Sequence, residues 1–202
     1  MAGLGGTWQI RAPFHQGPPM TIRDIVQFPD SRLRTKCESV TAFDAELKAL
    51  AQDLEDSMIE AEGIGIAGPH IGVLKRVMVL KMTPEETATA YVNPEVIWTS
   101  KETRKQYEGS ISLPNTGDEV ERPAKVKVRY QDLTGASHEI EAEGLLAACL
   151  QHEIDQLDGL FWTQKLSRLK RERVMKRAEK VTRLQGYAAE RAAAQQAEEE
   201  EG

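Results

Sequence analysis

The sequence predicts an α+β fold, with several short antiparallel strands wrapped around one buried helix and a second helix at the C-terminus. Three observations carry this. Residues 145 to 160 are strongly apolar over a helical length and stop at Gly159. Residues 124 to 144, "AKVKVRYQDLTGASHEIEAEG", alternate Val126, Val128 and Tyr130 with charges around a Thr134-Gly135 turn, the pattern of a hairpin. Two apolar runs, "RVMVLKM" (76 to 82) and "AYVNPEVIW" (90 to 98), have the length of strands rather than helices.

In chain order, residues 1 to 19 come first. They hold one Arg, no acid and no apolar signal core, so an unstructured extension is expected, with a mitochondrial presequence as the alternative. The folded domain is expected to span 20 to 165. It opens with an alternating stretch from Met20 that turns at Pro29-Asp30. Residues 43 to 62 place Leu47, Leu50, Leu54 and Met58 on one helical face and acids on the other, and Gly63 ends that helix. The run 76 to 82 reads as a buried strand, and 90 to 98 as a strand broken at Asn93-Pro94. From Leu166 the composition turns to Lys, Arg, Glu and Ala. A charged, solvent-exposed helix fraying into an acidic tail is expected over 166 to 202.

Composition narrows the function. A length of 202 residues suits one domain with extras, and 40% hydrophobic residues suffice for a core. The net charge is −6, and the run Glu198 to Glu201 supplies four of those charges. No basic surplus points to specific DNA binding. Two cysteines, Cys37 and Cys149, make no disulfide framework and suit a reducing, cytoplasmic compartment. No run approaches the ~18 apolar residues of a membrane span.

The chemistry concentrates in "QHEIDQLDG" (151 to 159). Residues four apart share a helix face, so His152 and position 156 point the same way. In H-E-x-x-H helices those two positions grip a metal, and the Glu after the first His moves the proton of bound water. Here His152 and Glu153 are present, and the second ligand position is Gln156. Taken alone this motif is weak. Two further segments strengthen it: the Gly-rich "GIGIAGPHIG" (63 to 72), where backbone must approach something closely, and "YEGSISLPN" (107 to 115).

The three segments, in this order and spacing, resemble the peptide deformylases, with their patterns G-h-G-h-A-A-x-Q, E-G-C-h-S-h-P and Q-H-E-h-D-H-h-x-G, where h is apolar. The resemblance covers roughly residues 20 to 180. It implies an α+β domain that removes formyl from nascent N-formylmethionyl chains through a metal, typically iron(II), held by one Cys and two His. By motif matching the Cys position is Ser110, the first His is His152 and the second is Gln156. Glu153 matches the catalytic glutamate, and the backbone amide of Ile111 the oxyanion donor. His70 stands in place of the oxyanion-side Gln, and Gly68 in place of the second alanine. Ile64, Gly65, Gly109, Ala148 and Cys149 are the implied substrate-binding positions. Glu108 and Arg122 read as structural or substrate-edge charges, solvated or paired rather than catalytic.

A serine alcohol and a glutamine carbonyl are poor exchanges for a thiolate and an imidazole. The expectation is therefore a degenerate site with iron or zinc weakly bound or absent, little deformylation, and a retained groove for peptides beginning with Met or formyl-Met. His70 is expected to donate to the formyl oxygen, best below the ordinary imidazole pKa of ~6.5. One alternative is an active enzyme rebuilt on His70, His152 and Glu153. Another is a hydrolase with Ser110 as nucleophile, His152 or His70 as its base and the Ile111 amide as oxyanion donor. The resemblance also implies ribosome contact through the C-terminal helix as a further partner.

Overall fold

The computed structural model describes residues 21 to 200, with side chains described to residue 184. The expected extension over 1 to 19 and the start at Met20 lie outside the described residues.

The elements are α1 (Ala45–Glu60), β1 (Gly65–Ala67), β2 (Val77–Leu80), β3 (Thr89–Thr99), β4 (Thr103–Ser110), β5 (Leu113–Pro123), β6 (Lys125–Gln131), β7 (Ser137–Glu143), α2 (Gly144–Leu157) and α3 (Arg168–Glu200). Five strands form an antiparallel sheet in the order β1-β2-β3-β6-β7, and β4 pairs with β5 as a separate two-stranded sheet. This is the α+β architecture that the sequence predicts.

Helix α1 begins where Asp44 can cap it, its carboxylate accepting from the Leu47 amide at 3.1 Å. Leu47, Leu54 and Met58 are buried, and Leu50 is half-buried. One acid departs from the expected solvent face. Asp56 is buried, where it accepts from the Thr21 amide and the Gln52 side chain. It thereby anchors the incoming chain.

Strand β2 explains its unbroken apolar run. Val77 and Val79 pack with α1, while Met78 and Leu80 pack with α2 on the opposite face. Both faces are covered, so alternation would be wasted. Helix α2 lies on β1, β2, β3, β6 and β7. Its Ala147, Leu150, Ile154 and Leu157 meet Tyr91, Val126, Val128 and Ala142 from the sheet. At ~1.5–3 kcal/mol per large apolar side chain, this interface is a main source of stability.

Two sequence expectations need correction, and one hairpin went unpredicted. The Asn93-Pro94 pair does not break β3. The register slips between Val92 and Glu95, and Asn93 sits at φ 50°, so the strand bulges and continues. Asn93 also stitches the bulge to residue 40, donating to the Val40 carbonyl and accepting from the Val40 amide, each at 2.8 Å. The Gly-rich stretch is more than a turn, because Gly65–Ala67 is a strand and Gly68–Ile71 a 3-10 turn. Residues 103 to 123 form a long hairpin that the sequence pattern did not reveal.

Helix α3 is docked at its start. Val174 is fully buried beside Val26, Leu33, Leu113, Val120, Phe161 and Trp162. Lys170 and Arg177 both reach Asp118.

Candidate functional site

Residues 61 to 65, the β4–β5 hairpin and helix α2 enclose a cleft of about 720 Å³. Its walls include Ile64, Gly65, His70, Gly109, Ser110, Ile111, Ala148, Cys149, His152 and Glu153. All the catalytic and substrate-binding positions expected from the sequence are therefore brought to one place. Gln156 is not among the lining residues. It is 1% exposed, and its amide nitrogen donates to the Leu33 carbonyl at 2.7 Å.

The cleft is assembled from backbone constraints upward. The segment after residue 21 straps across two of its walls, with the Val26 amide donating to the His70 carbonyl and the Phe28 amide to the Ser112 carbonyl, each at 2.8 Å. Gly65 gives Glu153 its room, since a Cβ there would lie 2.8 Å from the Glu153 Oε1 and 2.8 Å from Leu80.

His152 is held by charge. Its Nδ1 lies 2.9 Å from the Glu108 carboxylate. Arg122 grips the same carboxylate with two bonds, at 2.5 and 2.9 Å, and reaches Asp155 at 2.6 Å. Burial works against an ionised Glu108, but the hydrogen bonds from His152 and Arg122 outweigh it and hold the carboxyl at about 2. Glu108 is thus the acceptor, His152 Nδ1 is the donor, and Nε2 is the ring nitrogen left for the cleft. Burial opposes the His152 charge, yet the Glu108 bond and the charges of Glu153 and Glu108 raise its pKa overall. Of the readings left open for Glu108 and Arg122, the two residues form a buried pair. That Glu108 orients His152 was missed in the sequence, although Asp155, one turn along α2 from His152, marked the same polar face.

His70 differs from its expectation. It is 1% exposed, and its Nδ1 accepts the Ala67 amide at 2.9 Å. Burial, aided by the nearby His152, lowers its pKa to about 3. The ring is therefore neutral at ordinary pH, and the expected gain in donation below pH ~6.5 is withdrawn. Glu153 is pushed by burial up to about 7, with His152 opposing the rise. One oxygen of Glu153 and Nε2 of His70 are buried with no partner.

The donors present do not suit a metal well. His70 Nδ1 is 3.7 Å from Glu153 Oε2 and is already engaged by Ala67. Among the described residues, no three His, Cys, Asp or Glu side chains form a set that could hold a metal ion. The Ser110 hydroxyl accepts the Ser112 amide at 3.2 Å, and no hydrogen bond joins it to His152 or His70. The serine-nucleophile arrangement is thus not assembled.

The family model described as polypeptide deformylase matches residues 22–172. A peptide deformylase-like protein of Brucella melitensis is 54% identical over 164 residues, 81% of this chain and 100% of that protein. A peptide deformylase structure from Legionella pneumophila superposes with a TM-score of 0.78 at 40% identity, covering 82% of this chain and 98% of that one. The Ehrlichia chaffeensis peptide deformylase in complex with actinonin superposes at 0.75 and 34% identity, covering 80% and 98%. On the model match and these identities, the chain belongs to the polypeptide deformylase family.

Proposed function

We propose that this chain is a deformylase-family protein with a degenerate metal site, which retains a groove for peptide N-termini and deformylates them little or not at all by the metal route. The single observation that carries this reading is the placement of Gln156. Its amide is spent on the Leu33 carbonyl, outside the cleft that His152 lines. Ser110 adds a neutral hydroxyl where the family pattern has a thiolate. Of the three ligand positions only His152 keeps a strong donor, and lost ligands cost more than the ~10–100-fold typical of lost supporting contacts. The apolar walls at Ile64, Ala148 and Cys149 support a bound Met side chain. The Ehrlichia relative was solved in complex with actinonin, which supports ligand binding by a protein of this fold.

The rest of the reading follows from the family. A protein that meets nascent N-termini works where they emerge, so we place it in the cytoplasm, with α3 as the surface for ribosome contact. Arg173, Lys176 and Lys180 are exposed on that helix. No helix among the described residues is long and apolar enough to cross a membrane.

Elemental analysis of anaerobically purified protein tests the proposal. Well under one equivalent of iron, nickel or zinc is expected, together with negligible turnover of a formyl-Met peptide. A stoichiometric, chelator-resistant metal, or turnover at an ordinary enzymatic rate, overturns it.

A further inference from the structure

Helix α3 and one wall of the cleft share a turn. Ser110, Ile111, Pro114, Asn115 and Thr116 line the cleft. The residues that follow in the same hairpin are gripped by α3. Asp118 pairs with Lys170 at 3.0 Å and with Arg177 at 3.3 Å. The same two cations reach the backbone on either side of it, Lys170 donating to the Glu119 carbonyl and Arg177 to the Gly117 carbonyl, each at 3.0 Å. A separate apolar seat holds the helix itself, where Val174 is fully buried with Leu113 and Val120.

Lys170 and Arg177 share a helical face with Arg173 and Lys180, at spacings i, i+3, i+7 and i+10. Arg173 and Lys180 are exposed, and neither pairs with an acid among the described residues. A row of cations suits a chain of phosphates, because each contact releases counterions. Asp118 therefore holds two of the four positions that such a chain would take. Its partners are well exposed, Lys170 at 37% and Arg177 at 51%, so these pairs are weak and screened by salt. The Val174 seat does not depend on them. An exchange of partners would free the turn without undocking the helix.

We propose that Asp118 is a built-in competitor for an RNA-binding face of α3. Phosphates drawn to Arg173 and Lys180 take Lys170 and Arg177 from Asp118, the turn at 117–119 is released, and the cleft wall at 110–116 loosens. By linkage, whatever orders that wall weakens RNA binding by the same factor. This rests on the reading of α3 as a ribosome-contact surface and adds what contact there does to the cleft.

Two measurements on the full chain at low salt test this: anisotropy titration of a fluorescent oligouridine, and amide hydrogen exchange of residues 110–119 with and without that RNA. In the wild type, RNA should speed exchange of this segment several-fold. Asp118→Asn should bind the RNA about threefold tighter, the scale of one exposed ion-pair cluster, and its turn should exchange fast whether RNA is present or not. Glu119→Gln removes the same charge one residue away and spares the Asp118 pairs. It should tighten RNA binding less than Asp118→Asn does and keep the RNA-dependent exchange. Where Asp118→Asn does not fold, the wild-type exchange comparison decides alone. RNA binding with unchanged exchange at 110–119, or equal tightening by the two variants, overturns the inference and leaves the α3 contact standing. Polyglutamate bound as tightly as the RNA overturns the choice of a phosphate chain. Binding of no RNA at all sinks the α3 contact and the inference together.

Discussion

The carbonyl oxygens of Val73 and Lys75 close over Gly68, leaving no space for a side chain: a Cβ would meet the Val73 oxygen in a hard clash and lie 2.8 Å from that of Lys75. Backbone atoms cannot swing aside as a side chain tip can. The deformylase pattern has alanine here, so the turn that presents His70 is tighter than the pattern implies. Gly68→Ala should therefore cost about 1–3 kcal/mol and loosen the buried His70 ring. Urea unfolding with a histidine NMR readout checks it, and an unchanged midpoint would show that the turn has slack. A second expectation concerns the thiols. Burial pushes Cys37 up to about 11 and Cys149 up to about 12, the charges of Glu153 and Glu108 adding to the latter. Burial disfavours the thiolate, so at pH 8 roughly one Cys37 in a thousand and one Cys149 in ten thousand is reactive. Iodoacetamide labelling of native protein should be slow at pH 8 and rise about tenfold per pH unit toward pH 10. Rapid labelling of Cys149 at pH 8 would mean the cleft wall is open.

Among the elements, the β4–β5 hairpin and α2 are joined by one cluster of charges. Arg122 on β5 holds Glu108 on β4 and Asp155 on α2, and Lys165 reaches Asp155 from the far side at 3.2 Å. Replacing Arg122 leaves two carboxylates facing each other in a largely buried setting. Arg122→Met should cost about 3–5 kcal/mol, and adding Glu108→Gln should recover part of it, because the two changes share one network. Denaturant midpoints of the single and double variants decide this, and additive losses would refute the coupling. This hairpin was also the least legible part of the sequence. Charges fall on both faces of β4, where only Gln106 and Glu108 are even partly buried on that strand before Ser110, so no period-two signal forms. β1 was hidden for a different reason: three residues flanked by glycines are too short to show a period, and only pairing with β2 makes them a strand. By contrast α1, β2, α2 and the β6–β7 hairpin could be read, since each buries a face set by its own spacing. The site divides the same way. Motif spacing brought ten expected positions to one cleft, whereas the direction of the Gln156 side chain depends on a carbonyl 123 residues away.

At the scale of the whole molecule, the question is what the fold would need in order to hold a metal at positions 110, 152 and 156. The fold itself stands close to a known deformylase: a TM-score of 0.78 to the Legionella structure spans 82% of this chain. Position 156 still lies one helical turn beyond His152, on the same face of α2, so a histidine there would start from a suitable Cβ. What must be given up is the bond from Gln156 to the Leu33 carbonyl, worth about 1 kcal/mol. A bound metal returns about 10 kcal/mol or more where the full ligand set is present, so the lost tie is the smaller effect. Ser110→Cys with Gln156→His should therefore fold and take up close to one equivalent of metal. Adding His70→Gln should then bring measurable turnover of a formyl-Met peptide, since Glu153 and the Ile111 amide are already at the cleft. Two failures would mean different things. If the double variant folds without binding metal, the backbone at 110 or 156 has shifted off the ligand geometry. If the triple variant binds metal and stays inert, the pocket beyond the metal has diverged, and the substrate class implied by the family does not carry over to this chain.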